Sequence, residues 1–235
     1  MIKNKNLLIW LTTAFLCVES ALGALLQTTE NSVSVKYRYA VVILACLFCF
    51  ILADRSWSYL FTQIALIFTV CADYYLVYLP VMQQLPAMKL FSIAQIAYFL
   101  RLIIEDDNPR RRRVHLILRI SLSAISVAVA YIVLGINADP LVPVSLFYYI
   151  NLILNTVFAF VDIKKNPLLA IGFLLFLLCD TVIGLPFLKT YLPSVDMTLI
   201  DKLINPGFYL NWAFYTPSQM LLAISMLPKR LSKEK

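Results

Sequence analysis

Eight continuous apolar runs, each close to the length of a bilayer crossing, leave this chain few ways to fold. A hydrocarbon core needs about 20 apolar residues per helix. It holds no water to satisfy backbone N–H and C=O groups, so only helices or closed barrels cross it. The runs are 7–26, 37–53, 59–79, 85–104, 114–136, 141–161, 167–188 and 206–227. They are continuous rather than alternating, which reads as helix and not strand. Pro140, Pro167 and Pro206 fall at run starts, where the missing N–H does no harm. Connections are too short for a separate soluble domain. The expectation is a single all-α domain over residues 1–235, a polytopic membrane bundle of about eight transmembrane helices. The chain is 61% hydrophobic and 14% charged, against about 45–50% and about 25% in soluble domains.

The 20 Lys and Arg residues sort by side. With the N-terminus in the cytoplasm, only Lys36, Arg38, Lys89, Lys189 and Lys202 fall outside, and all the others, Arg119 included, fall inside. Positive residues favour the cytoplasmic side, so both termini are expected there. The Arg110–Arg113 run could be a nucleic-acid patch, but beside an apolar span it reads as an anchor facing anionic membrane lipid. No nucleic-acid partner is expected. Residues 1–27 also resemble a signal peptide, with Lys3 and Lys5, an apolar core and a small-residue site at Ala21-Leu22-Gly23. The five cysteines all lie in apolar runs. Cys46 and Cys49 have metal-ligand spacing, but there is no second pair and one histidine, His115, so all five are read as small buried hydrophobes and no metal site is expected.

Within the apolar runs stand two aspartates. Asp73 follows Leu66-Ile-Phe-Thr-Val-Cys-Ala, and Asp180 follows Phe173-Leu-Leu-Phe-Leu-Leu-Cys. A carboxylate at such depth costs about 2.5–3.5 kcal/mol on insertion scales, so it is rare without a use. They occupy the third and seventh runs, at matching places in the two halves. This suggests a 4+4 parallel repeat, in which sites tend to lie between the halves. Glu19 lies 13 residues from Asn6, Asp73 14 from Tyr59 and Asp180 13 from Pro167, each counted from the cytoplasmic end. At 1.5 Å rise per residue that is about 20 Å, a single layer. Gln95, Asn151, Asn155, Tyr215 and Gln219 fall near it. Together they read as a polar cavity, in which two carboxyls would form an acid/base pair. Taken singly, the amides read better as interhelical glue. Neither aspartate has a basic residue in its own span to act as a structural counter-ion. A small proton-coupled transporter and a non-catalytic structural membrane protein are the rival readings.

The ordered motifs resemble the YhhN family of membrane lysoplasmalogenases. Ala72-Asp73 matches its small residue and Asp in span three. Phe91-Ser-Ile-Ala94-Gln95-Ile-Ala-Tyr98 matches span four, except that Gln95 stands where the family has histidine. Leu175-Phe176-Leu-Leu-Cys179-Asp180 is similar to span seven, and Tyr215-Thr-Pro-Ser218-Gln219 keeps the Tyr and Gln of span eight. The Lys-Pro pair frequent in the family's second span is missing here. The resemblance implies a hydrolase that cleaves the vinyl ether of an alkenyl lysophospholipid to a fatty aldehyde and a glycerophospho-alcohol, with no metal or cofactor. It implies Asp73 and Asp180 as catalytic groups and Gln95, Tyr98, Tyr215 and Gln219 as substrate-binding residues; Glu19 and Asn155 join the substrate-binding set from their shared depth alone. Lys89 and Lys189, at the expected outer ends, are candidates to meet the phosphate.

Overall fold

The computed structural model describes residues 5–28, 32–52, 56–135, 139–191, 198 and 209–227, and side chains except at 28, 32–35 and 188–191. The described residues form eight helices and no strand: α1 (Lys5–Thr28), α2 (Ser32–Ile51), α3 (Trp57–Asp73), α4 (Gln84–Glu105), α5 (Pro109–Leu134), α6 (Leu141–Val161), α7 (Pro167–Tyr191) and α8 (Leu210–Ile224). Six of them, all but α2 and α8, are long and apolar enough to cross a membrane. Large apolar side chains such as Trp10, Ile132 and Val133 remain exposed on the bundle's outside, as lipid-facing residues should.

Local chemistry explains the helix ends. Asn108 caps α5, its Oδ1 accepting from the backbone N–H groups of Arg110 (3.0 Å) and Arg111 (3.3 Å), with Pro109 as first helical residue. Gly135 ends α5 at φ +79°, a left-handed conformation that glycine adopts without a Cβ penalty. The run 59–79 is not one regular helix. After Asp73 the backbone widens into a π-helical turn, Tyr74–Tyr78, whose exit is marked by the Leu79 N–H donating to the Tyr74 carbonyl at 3.0 Å. Such turns concentrate at functional sites. Tyr74 and Tyr78 stack at 5.5 Å between ring centroids, and Tyr39 of α2 lies 5.2 Å from Tyr78.

The packing repeats between halves. α3 lies along α4 as α7 lies along α8, α1 against α2 as α5 against α6, α2 against α3 as α6 against α7, and α2 against α8 as α6 against α4. This is the pattern of the 4+4 arrangement. It breaks at α1, which packs on α8 while α5 rests mainly on α6. Leu8, Phe15 and Leu26 of α1 are buried, so α1 is a member of the bundle. The α7–α8 approach is close because of Gly172: a Cβ there would sit 3.1 Å from Leu222.

Buried polar groups brace the helices. Arg101 of α4, fully buried, donates to Thr62 Oγ1 of α3 (3.0 Å) and Ser225 Oγ beyond α8 (2.7 Å), and pairs with Glu105 (3.2 Å). Where the charge count places Arg119 at the cytoplasmic side, the structure buries it between α5, α6 and α4. Its guanidinium lies over the Phe99 ring (4.2 Å) and donates to Asn151 Oδ1 (2.5 Å) and Asn155 Oδ1 (2.6 Å). Burial in hydrocarbon costs less when a cation's donors meet acceptors, and two amides supply them here. The cysteines divide: Cys46, Cys49 and Cys179 are buried as expected, but Cys17 and Cys71 are exposed on helix faces.

Candidate functional site

The site grows from the middle of α3 and α7. Thr62 and Thr69 return their hydroxyls to carbonyls four residues back, so α3 carries them through apolar surroundings without open bonds. Asp73, the last α-helical residue before the π-helical turn, is buried at 4% exposure, and its Oδ2 accepts a short hydrogen bond from the Tyr215 hydroxyl of α8. Asp180 of α7, half-buried, accepts through Oδ2 from the Tyr148 hydroxyl of α6. One rung further, Tyr149 and Thr181 share a hydrogen bond of 2.7 Å, so consecutive residues lock α6 to α7 and fix the rotation of Asp180.

The two acid–phenol pairs belong to one constellation. Aromatic rings join the pairs: Tyr215 lies 5.8 Å from Phe176, Phe176 lies 6.1 Å from Phe91, and Phe91 lies 5.6 Å from Tyr148, all between centroids. Phe176 and Phe91 thus bridge the two phenols through apolar contacts.

Next to this constellation lies a group of polar atoms without partners. α1 and α8 run antiparallel in a register pinned at two points. Gln27 of α1 holds the Tyr209 backbone, accepting from its N–H (2.9 Å) and donating to its carbonyl (3.2 Å), and a Cβ at Gly23 would sit 3.2 Å from Thr216 Cγ2. One turn back along α1 is Glu19, and about one turn on along α8 is Gln219, so the two come level on facing sides. Both are fully buried. Both Glu19 oxygens, both polar atoms of Gln219 and the Thr216 hydroxyl lack a hydrogen-bond partner among the described residues. Gln219 stands one turn from Tyr215, the partner of Asp73.

Other expected site residues join a different network. Asn155 Nδ2 donates to Gln95 Oε1 (2.8 Å) and to its carbonyl (2.9 Å), while Asn155 Oδ1 takes the Arg119 bond. Gln95, fully buried, keeps Nε2 unpartnered among the described residues. The Tyr98 ring packs edge-on to Phe173 (5.0 Å), its hydroxyl buried without a partner among the described residues. Asn151, read as glue, is that: it joins Arg119 and Ser123.

Sequence reasoning missed Tyr148 and Arg38. Tyr148, Asn151 and Asn155 recur at helical spacing on one face of α6, a polar stripe in an apolar helix that carried the signal. Arg38 near the start of α2 has its guanidinium 5.4 Å from the ring centroids of both Tyr209 and Trp212. Trp212 in turn lies edge-on to Tyr215 at 5.4 Å. Of the two lysines expected at the phosphate, Lys89 is exposed and the Lys189 side chain lies outside the described residues.

Fold and site together define a multi-pass helical membrane protein with two aspartates inside the bundle, Asp73 bonded across its halves and Asp180 within the second. A model of the YhhN family matches residues 33–226, and the chain belongs to that family. No curated protein and no solved structure matches the chain.

Proposed function

We propose that the protein is a membrane hydrolase that cleaves the vinyl ether of an alkenyl lysophospholipid. The observation that carries this reading is geometric: Asp73 and Asp180, each engaged by a tyrosine from a neighbouring helix, are linked by a run of touching aromatic rings. Family membership supports the substrate class. A vinyl ether opens when an acid protonates its outer carbon. The positive charge moves to the ether oxygen as an oxocarbenium ion. Water adds to the adjacent carbon and gives up a proton to a carboxylate, and the hemiacetal collapses to aldehyde and free alcohol. One carboxyl gives the first proton and the other receives the second, so the pair ends as it began apart from one proton exchanged through solvent. The same division of work serves glycosidases, whose transition state is also oxocarbenium-like.

The tyrosines engage Oδ2 of each aspartate, which leaves Oδ1 out of those bonds for the proton transfer. The unpartnered Glu19, Thr216 and Gln219 atoms offer both donors and acceptors one turn away. That mixed set suits water, the second substrate, better than a bare cation. Both termini lie in the cytoplasm on this reading, and the lipid enters from the surrounding leaflet.

Purified protein in detergent micelles should release fatty aldehyde from lysoplasmalogen. Asp73→Asn and Asp180→Asn should each lose at least about 10²-fold, the lower end of general acid–base effects, with unchanged melting temperature. Wild-type protein that makes no aldehyde yet moves protons across liposomes would replace this reading with that of a carrier.

A further inference from the structure

We propose that Arg38 is a phosphate-binding residue, and that Arg38, Tyr209 and Trp212 form the headgroup subsite for the lipid whose reacting bond lies at Asp73 and Asp180. The proposal rests on the hydrolase reading for the position of that bond.

Arg38 is half-buried near the start of α2, at the end of the bundle where α8 begins. Its guanidinium is held by two aromatic rings, Tyr209 and Trp212, and by no carboxylate in any ion pair among the described residues. Its Nε is buried without a hydrogen-bond partner among the described residues. The other buried arginines differ. Arg101 has Glu105 and two hydroxyls, and Arg119 has two amide oxygens. Ring faces attract a guanidinium without accepting a conventional hydrogen bond from its five N–H donors. The planar fork of those donors matches two oxygens of a phosphate. Arg38 is thus incompletely bonded, the state of a residue prepared for an oxyanion.

Placement agrees with the substrate's dimensions. From Arg38 the contacts run through Trp212 to Tyr215 and on to Asp73. Trp212 and Tyr215 are three residues apart on α8, about one helical turn or 5 Å along its axis. A glycerophospholipid separates its phosphorus from the sn-1 ether by a few bonds of glycerol, and the arginine and tyrosine side chains reach in from the two ends of this line of contacts. A phosphate on Arg38 would point the ether along that line toward Asp73.

A non-cleavable ligand series tests this by binding alone. The probes are 1-O-hexadecyl lysophosphatidylcholine, 1-O-hexadecylglycerol, which lacks the phosphate, and inorganic phosphate. Trp212 fluorescence and thermal stability in dodecyl maltoside micelles give the readout. The phospholipid should bind the wild type at least about 10-fold tighter than the alkylglycerol, as charged hydrogen bonds warrant. Arg38→Gln should abolish that preference by weakening the phospholipid alone. Arg38→Lys, which keeps charge but not the fork, should retain only part of it, and serves where Arg38→Gln does not fold. Equal binding of the two lipids by the wild type, or an undiminished preference in both variants, overturns the proposal. If inorganic phosphate alone protects the protein through Arg38 and the lipid gains nothing from its phosphate, the site takes free phosphate and the headgroup assignment falls. Since neither lipid can be cleaved, loss of the preference in protein that releases no aldehyde would keep this site and remove the hydrolase reading instead.

Discussion

Asp73 and Asp180 each meet a phenol carried by another helix, and this divides the labour between charge and position. A carboxyl alone at this depth could rotate among several rotamers. A short bond to Tyr215 or Tyr148 fixes one oxygen and presents the other. Tyr215→Phe and Tyr148→Phe should therefore lower kcat by about 10-fold or more, the worth of a hydrogen bond to a charged group, with little change in KM. Steady-state aldehyde release, with melting temperatures as the folding control, checks this. A change confined to KM would make the tyrosines substrate contacts instead. Both aspartates were legible in the sequence because charge inside an apolar run has no cheap explanation. Their partners were only half legible. Tyr215 came with its motif, but Tyr148 is one of 13 tyrosines in the chain, and which of them reaches an acid depends on helix rotation. The burial of Arg119 was not legible for a related reason: counting from the nearest membrane edge says nothing about whether a side chain turns inward.

At the scale of helices, two contacts carry most of the specificity. The first is the Arg119–Asn155–Gln95 chain across α5, α6 and α4. Asn155→Leu leaves a buried guanidinium donor without its acceptor, and should destabilise the bundle by about 1–3 kcal/mol. Arg119→Leu together with Asn155→Leu should cost less than the two single changes added, because neither partner is then stranded. Unfolding in mixed micelles would measure both; strict additivity would show that the bond contributes nothing. The second contact is Gly172, where the α7 backbone meets Leu222 and Leu221 of α8. Gly172→Ala requires the Leu222 side chain of α8 to give by a few tenths of an ångström, at about 1–3 kcal/mol for an overpacked site. Since α8 carries Tyr215 and Gln219, activity should fall further than stability does. The helices themselves were readable to within a few residues, because apolar length is their cause. The π-helical turn after Asp73 was not, since nothing in Tyr74–Tyr78 breaks a helix and the widening is a response to packing.

For the molecule as a whole the open quantity is its orientation, and the cytoplasmic charge count gives a definite expectation that the loops can test. The connection from α4 to α5 is a folded electrostatic unit. Arg111 grips Asp106 with Nε (2.5 Å) and Nη2 (2.6 Å) and reaches Asp162, just past α6, at 2.7 Å. The guanidinium beside Asp106 holds its carboxyl below the usual carboxylate range. A depressed carboxylate contributes its stability above the unfolded-state value, about 3.9 for Asp, and loses it as pH falls through the lower folded value. Asp106→Asn should thus destabilise the protein by roughly 1–2 kcal/mol at neutral pH, discounted for partial exposure, and the gap from wild type should close in acid. A constant gap down to pH 3 would assign the cost to packing rather than charge. The same loop reports the side of the membrane. With both termini cytoplasmic, a single cysteine at Arg110 should react with an impermeant maleimide only after the membrane is opened, and one at Ser194, between α7 and α8, should react in intact cells. Cys17 and Cys71 are exposed on helix faces and would be replaced by serine beforehand. Labelling of both positions from one side would require an even number of crossings between them. That would break the match between the halves, because Asp73 and Asp180 could then no longer enter the membrane from the same side at equal depth.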